Sequence, residues 1–99
     1  MLDKHPDLDG LFVANDLMAI GAISVLRDNG RLVPDDVRLV GVDNSESAAQ
    51  VSPQLTSMTN SSDEHTRIAG EMLKKLMSGV RPEPLTVVLP SELVIRESA

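Results

Sequence analysis

Two neighbouring stretches decide the fold: LFVANDLMAIGAISVLRDNG (residues 11–30) and VRLVGVDN (residues 37–44). The first opens with a continuous apolar run, Leu11 to Ala14, which predicts a short strand buried on both faces. The second is rich in β-branched residues and predicts another strand, from Val37 to Val42. Because the apolar residues between the two strands have the spacing of a helix, a right-handed parallel βαβ unit is expected.

The predicted helix between these strands runs from Leu17 to Asn29. Asp16 is expected as its N-cap, and Gly30 stands where a glycine commonly ends a helix. The apolar residues fall into two stripes, so the helix should have two packing neighbours. The stripes are Met18, Ala22, Val25 and Leu26 on one side and Ala19, Ile20 and Ile23 on the other.

The second half of the chain predicts a third strand at 55–58 and then a long helix. Ser61 and Glu64 match a capping box that starts this helix, which should end at Ser78-Gly79. Its buried face is expected to carry residues spaced by four, Ile68, Met72 and Leu76. Two extended runs, 85–89 and 93–96, are split by Pro90 and predict strands with different neighbours.

Composition restricts the function classes. With 99 residues, 41% hydrophobic and 24% charged, the chain has the composition of one soluble globular unit. Nine basic against 15 acidic residues and a single aromatic residue argue against direct nucleic-acid binding. No apolar run approaches the length that spans a bilayer, and no secretion signal is recognised, so a cytoplasmic location without membrane contact is expected.

Polar side chains follow each of the two predicted strands, Asn15-Asp16 after the first and Asp43-Asn44 after the second. Adjacent parallel strands would bring these ends within about 5 Å, where carboxylate and carboxamide groups suit a hydroxyl-rich ligand. The alternative is that they are helix caps and loop residues that satisfy backbone groups. Spacing alone favours this alternative.

Enzymatic chemistry is not indicated. No serine lies in a G-x-S-x-G elbow, no lysine in a phosphate loop, and no G-x-G-x-x-G follows a strand. His5 and His65 share no metal-ligand spacing with nearby acids. We therefore expect no enzyme, no metal and no cofactor.

Three segments carry a family resemblance: FVANDLMAIGA (12–22), LVPDDVRLVGVDN (32–44) and PQLTSM (53–58). In order and spacing they resemble the C-terminal region of LacI/GalR-type transcriptional repressors, and the similarity extends to the closing residues 93–96. The element V-P-x-D-V leading into V-G-x-D-[DN] is typical of the repressors. The fold alone would be shared with periplasmic sugar-binding proteins.

The resemblance implies an α/β chain that forms part of a periplasmic-binding-protein-like (type I) fold, with parallel βαβ units flanked by helices. It implies that Asn15 and Asp43 contact a small-molecule effector, such as a sugar. Asn60 and Ser62 are further candidates, although the family often has an aromatic residue near the position of Ser62. DNA would be bound only through a helix-turn-helix domain absent from this chain.

The family pattern also assigns lobes and a dimer surface. Residues 1–58 and 91–99 would belong to a C-terminal lobe, and 59–90 would supply a helix and strand to an N-terminal lobe. Ile20, Ile23 and Val51 would face a second copy; burial under a neighbouring helix of the same chain is the alternative.

The expected function is effector sensing and dimerisation in a regulator of the LacI family. A periplasmic or transport-linked sugar-binding protein and a truncated dimerisation module without a ligand are the alternatives. Because most of one lobe would be missing, the chain by itself is expected to self-associate through exposed apolar edges.

Overall fold

The computed structural model describes all residues from 1 to 99, and they form a mixed α/β structure. Its strands are β1 (Gly10–Phe12), β2 (Arg38–Asp43), β3 (Thr56–Thr59) and β4 (Leu93–Val94). Its helices are α1 (Asp16–Asp28), α2 (Glu46–Gln50) and α3 (Ser62–Met77). The predicted α/β class and the order strand, helix, strand are confirmed.

One sheet contains all four strands in the order β1-β2-β3-β4. β1 pairs with β2 and β2 with β3 in parallel, whereas β4 runs antiparallel to β3. In the register, Phe12 lies opposite Val40, and Asp43 lies opposite Thr59. The carboxyl ends of the three parallel strands therefore lie at the same edge of the sheet.

The hydrophobic core lies between this sheet and the helices α1 and α2. Its buried residues come from both helices, from β2 and from the segments beside the strands: Val13, Ala19, Ile23, Leu26, Val37, Leu39, Ala48 and Leu55. Helix α1 buries one face only, because Met18 and Val25 remain exposed. The prediction of two packed stripes is therefore half right for this chain.

Strand β1 departs from the expected burial on both faces, since Phe12 is 65% exposed. The edge position explains this, because β1 has only β2 as a neighbour and no helix of this chain covers Phe12. The start of α1 also differs. Asn15, and not Asp16, is the N-cap, and its side chain accepts a hydrogen bond from the Met18 amide.

The chain divides into two compact units. The first contains Met1–Asn60 and Glu92–Ala99, with the whole sheet; the second is Ser61–Ser91, with α3. Helix α3 starts and ends where the sequence predicts, but the Ser61 side chain makes no capping hydrogen bond. Its two central charged pairs, Arg67 with Glu64 and with Glu71, are exposed.

The strand predicted at 85–89 is wrong: these residues have no strand pairing. A strand needs a hydrogen-bonded neighbour, and the second unit contains no other extended segment with which 85–89 is paired. In this unit a small open pocket of about 120 Å³ is lined by His65, Ile68, Ala69, Met72, Val87 and Leu89. None of the helices in either unit is both long and apolar enough to span a membrane.

Candidate functional site

The candidate site lies at the carboxyl edge of the sheet. Asn15 and Asp43 each lie three residues beyond the last register pair of β1 and β2, which joins Phe12 with Val40. Neighbouring strands are about 5 Å apart, so the register brings the two positions to adjacent strand ends. This is the geometry on which the predicted ligand contacts depend.

Asp43 is the exposed acid of this edge. Its backbone has φ 109°, in the left-handed half of conformational space, and its side chain is open to solvent. One carboxylate oxygen, Oδ1, lies 3.3 Å from Asn60 Nδ2, which donates to it. The structure thus brings together two of the predicted contacts, an acceptor and an amide.

The side chain of Asn15 caps α1 through its oxygen and has its nitrogen free for another contact. Its Oδ1 accepts from the Met18 amide at 2.9 Å and caps α1. Its Nδ2 makes no hydrogen bond, and the residue is half-buried at the sheet edge. A cap of this kind leaves the NH2 group of the carboxamide, with its two donors, available to a ligand.

Asp16 points away from the edge and into the protein, where only 2% of its surface is exposed. Its Oδ2 accepts from the Ser45 amide at 2.7 Å and the Ser45 hydroxyl at 2.9 Å, and its Oδ1 accepts from the Ser57 hydroxyl. The carboxylate therefore joins α1 to the segments that follow β2 and form β3. Its role is structural.

A glycine makes room for this carboxylate. A Cβ at Gly41 would lie 2.5 Å from Asp16 Oδ1 and 3.0 Å from Leu55 Cδ2. No side chain fits at that separation without displacing its neighbours. In the V-G-x-D element, Asp43 therefore lies at the end of β2, and Gly41 packs against the buried carboxylate of Asp16 at the start of α1.

Asn44 is held by residues that the sequence analysis did not single out. Its Oδ1 accepts from Arg96 Nη2 at 2.6 Å, and its backbone N–H donates to Ser57 Oγ at 3.0 Å. Only the closing L-V-I-R pattern pointed to Arg96, through the family resemblance. Its contact with Asn44 spans 52 positions of the chain, a separation that local pattern does not encode.

The remaining predicted residues are placed as follows. Ser62 is the first residue of α3 in the second unit, and its side chain is exposed. Ile20 and Val51 are half-buried beside the core. Ile23 is 2% exposed and packs inside the core, which corrects its assignment to a dimer surface: the alternative of burial within the same chain holds for this residue.

Chemically, the edge presents an exposed carboxylate and two amide groups. Asp43 and Asn15 form their side-chain hydrogen bonds with uncharged partners, the Asn60 amide and the Met18 backbone N–H. Carboxylates accept from hydroxyl groups, and amides both donate and accept. Such a set fits an uncharged ligand rich in hydroxyl groups.

Comparison with known proteins adds the following. The family model of the periplasmic binding protein-like domain matches residues 1–99. The HTH-type transcriptional regulator CelR of Thermobifida fusca is 40% identical over 98 residues, which are 99% of this chain and 29% of that regulator. The chain therefore spans less than a third of this relative.

Solved structures agree with the family model. A complex of the transcriptional regulator CelR with cellobiose superposes with a TM-score of 0.91 at 40% identity, over 99% of this chain and 30% of the other. A LacI family transcriptional regulator from Arthrobacter sp. FB24 in complex with lactose gives 0.82 at 40% identity, over 98% and 37%. The predicted partial periplasmic-binding-protein-like fold is thus confirmed.

Proposed function

The chain belongs to the periplasmic-binding-protein-like family of LacI/GalR-type regulators, and we propose that it supplies one wall of their effector-binding cleft. The effector would be a sugar, and Asp43 would be its principal contact from this chain. Asn15 and Asn60 would add amide groups at the same edge. The intact protein would act as a cytoplasmic, dimeric, sugar-responsive transcriptional regulator without enzymatic activity.

The exposed Asp43 carboxylate carries this proposal. This carboxylate lies at the carboxyl edge of the sheet and is open to solvent. The carboxylate of Asp16, in contrast, points inward and already accepts three hydrogen bonds within the protein. The backbone φ of Asp43, 109°, is unusual for any residue other than glycine. Backbone conformations of this kind are concentrated at functional sites. Similar regulators have been solved with cellobiose and with lactose, which supports a disaccharide as the ligand class.

Two points of the proposal concern parts beyond this edge. Ser62 is a further proposed effector contact, and residues 59–90 are the proposed contribution of this chain to the N-terminal lobe. Ile20 and Val51 would lie near the dimer surface. Closure of the lobes around the sugar would then change the geometry of the dimer and its affinity for operator DNA.

The test is isothermal titration of the full-length protein with cellobiose and with lactose. Asp43→Ala should weaken sugar binding by roughly ten-fold or more, since it removes a charge-assisted hydrogen bond to a hydroxyl. Its thermal unfolding midpoint should fall only slightly, because the side chain is exposed and contacts only Asn60, although alanine tolerates the positive φ less well than aspartate. Asp35→Ala, an exposed acid in the turn before β2, is the matched control and should bind like the unaltered protein.

Unchanged affinity in Asp43→Ala would refute the site. If the unaltered protein binds neither cellobiose nor lactose, the proposed disaccharide class is refuted.

A further inference from the structure

Arg96 connects the last strand segment to the candidate site from 52 positions away. Its backbone N–H donates to Thr56 Oγ1 at 2.8 Å, and its Nη1 donates to the Leu55 carbonyl at 2.8 Å. Its Nη2 donates to Asn44 Oδ1 at 2.6 Å. One half-buried guanidinium therefore joins the start of β3 to the turn that follows β2.

This turn has an unusual backbone. Asp43 and Asn44 both have positive φ, 109° and 50°, although neither is a glycine. Asparagine tolerates the left-handed region, whereas the value at Asp43 is costly and needs support from its surroundings. The Asp43 side chain makes only the exposed contact with Asn60, and Asp43 pairs with Thr59 at the last register position of β2 and β3. Beyond that pair, the support comes through Asn44.

Asn44 is held at both of its polar ends. Its N–H donates to Ser57 Oγ, and Ser57 in turn donates to the buried Asp16 carboxylate. Its side-chain carbonyl accepts from Arg96. Asn44 therefore has its backbone N–H and its side-chain oxygen engaged within the protein, and this side-chain acceptor is not directed to a ligand.

We propose that Arg96 is a positioning residue for the ligand site: by holding Asn44 it fixes the left-handed turn that aims the Asp43 carboxylate. This inference rests on the proposed function, in which Asp43 contacts the effector. The planar guanidinium serves two separate acceptors at once from a fixed geometry. A lysine ammonium keeps the charge but lacks this fork, so Arg96→Lys is the sharpest substitution.

Ser98 offers a matched control in the same terminal segment. Its buried hydroxyl accepts from the Thr56 amide at 2.8 Å and donates to the Leu39 carbonyl at 2.6 Å. Ser98→Ala therefore loosens the attachment of this segment to β2 and β3 without touching Asn44. A general loss of stability would affect both variants, whereas a positioning role is confined to Arg96.

The first measurement is sugar affinity of the full-length protein, by titration with cellobiose and lactose. Arg96→Lys should weaken binding by roughly ten-fold, the effect of one charge-assisted hydrogen bond, and Ser98→Ala by less than about two-fold. In an Asn44→Gly background, Arg96→Lys should change affinity by less than about two-fold, because residues that act through one contact are not additive. Equal effects of Arg96→Lys with and without Asn44→Gly would overturn the proposal.

The second measurement needs no ligand and separates this inference from the proposed function. Hydrogen exchange of the Asn44 amide, followed by mass spectrometry of peptides that span the turn, reports its bond to Ser57 directly. Exchange should accelerate in Arg96→Lys and stay unchanged in Ser98→Ala. If the unaltered protein binds no sugar, the proposed function fails, and exchange alone decides whether Arg96 holds the turn; equal protection in both variants would refute it.

Discussion

The two compact units differ in how their helices are covered, although both helices are amphipathic. Helix α1 of the first unit buries Ala19, Ile23 and Leu26 against the sheet, whereas α3 of the second unit has no buried residue. The first unit therefore contains a hydrophobic core of its own. The second contains a helix whose apolar side chains, including Leu73 and Leu76, remain more than half exposed. The comparison teaches that an apolar stripe predicts a helix but does not specify what covers it.

The largest difference between the units should appear when one leucine is truncated in each helix. Leu26 in α1 is 1% exposed and Leu73 in α3 is 57% exposed. Leu26→Ala should lower the free energy of unfolding by about 3 kcal/mol, because it removes buried methyl groups and leaves a cavity. Leu73→Ala should change it by less than about 0.5 kcal/mol. Denaturant unfolding measures both, and equal losses would show that α3 is covered in the intact protein.

An intermediate effect is expected from the first-turn acids of the same helices. Asp16→Asn replaces a buried acceptor of three hydrogen bonds with an amide that also donates, and should cost about 2 kcal/mol. Asp63→Asn, at an exposed position in the first turn of α3, should cost less than about 0.5 kcal/mol. Thermal unfolding of the two variants compares them. If Asp16→Asn leaves the thermal unfolding midpoint unchanged, the buried hydrogen-bond network contributes little to stability.

The smallest expected effect comes from replacing one glycine by alanine in each unit, and the change in stability should have opposite signs in the two units. Gly41→Ala places a methyl group against Asp16 and Leu55, so it should destabilise by about 1 kcal/mol. Gly70, inside α3, has nothing within 4 Å of a Cβ, and Gly70→Ala should stabilise by up to about 1 kcal/mol through helix propensity. The midpoints of denaturant unfolding should move in opposite directions. A destabilising Gly70→Ala would indicate a close neighbour against that face.

The fold of the first unit was largely predictable, because its signals are local. Apolar runs predicted β1, β2 and β3 to within one or two residues, and helical spacing predicted α1 and α3. The failures concern contacts. Residues 85–89 have strand composition without a strand partner, and Phe12 is apolar without cover.

For the candidate site, the sequence predicted the place in the fold, whereas the ligand contacts stay predictions. Its position at the carboxyl edge follows from the parallel βαβ order, and the family resemblance singles out Asn15 and Asp43. The exchange of roles between Asn15 as the cap and Asp16 as the buried acceptor was not predictable. Both residues have side chains that cap helices equally well, so only their environment distinguishes them.

The sequence by itself determined the periodic features: which segments are strands and helices, which edge of the sheet collects polar side chains, and which family the chain resembles. These properties depend on residues a few positions apart. Only the tertiary structure decided that Asp16 is buried beneath Gly41, that Ile23 belongs to the core, and that Arg96 holds Asn44. The reason is physical, since burial and hydrogen bonding at these positions depend on partners tens of residues away, brought together only when the sheet has formed.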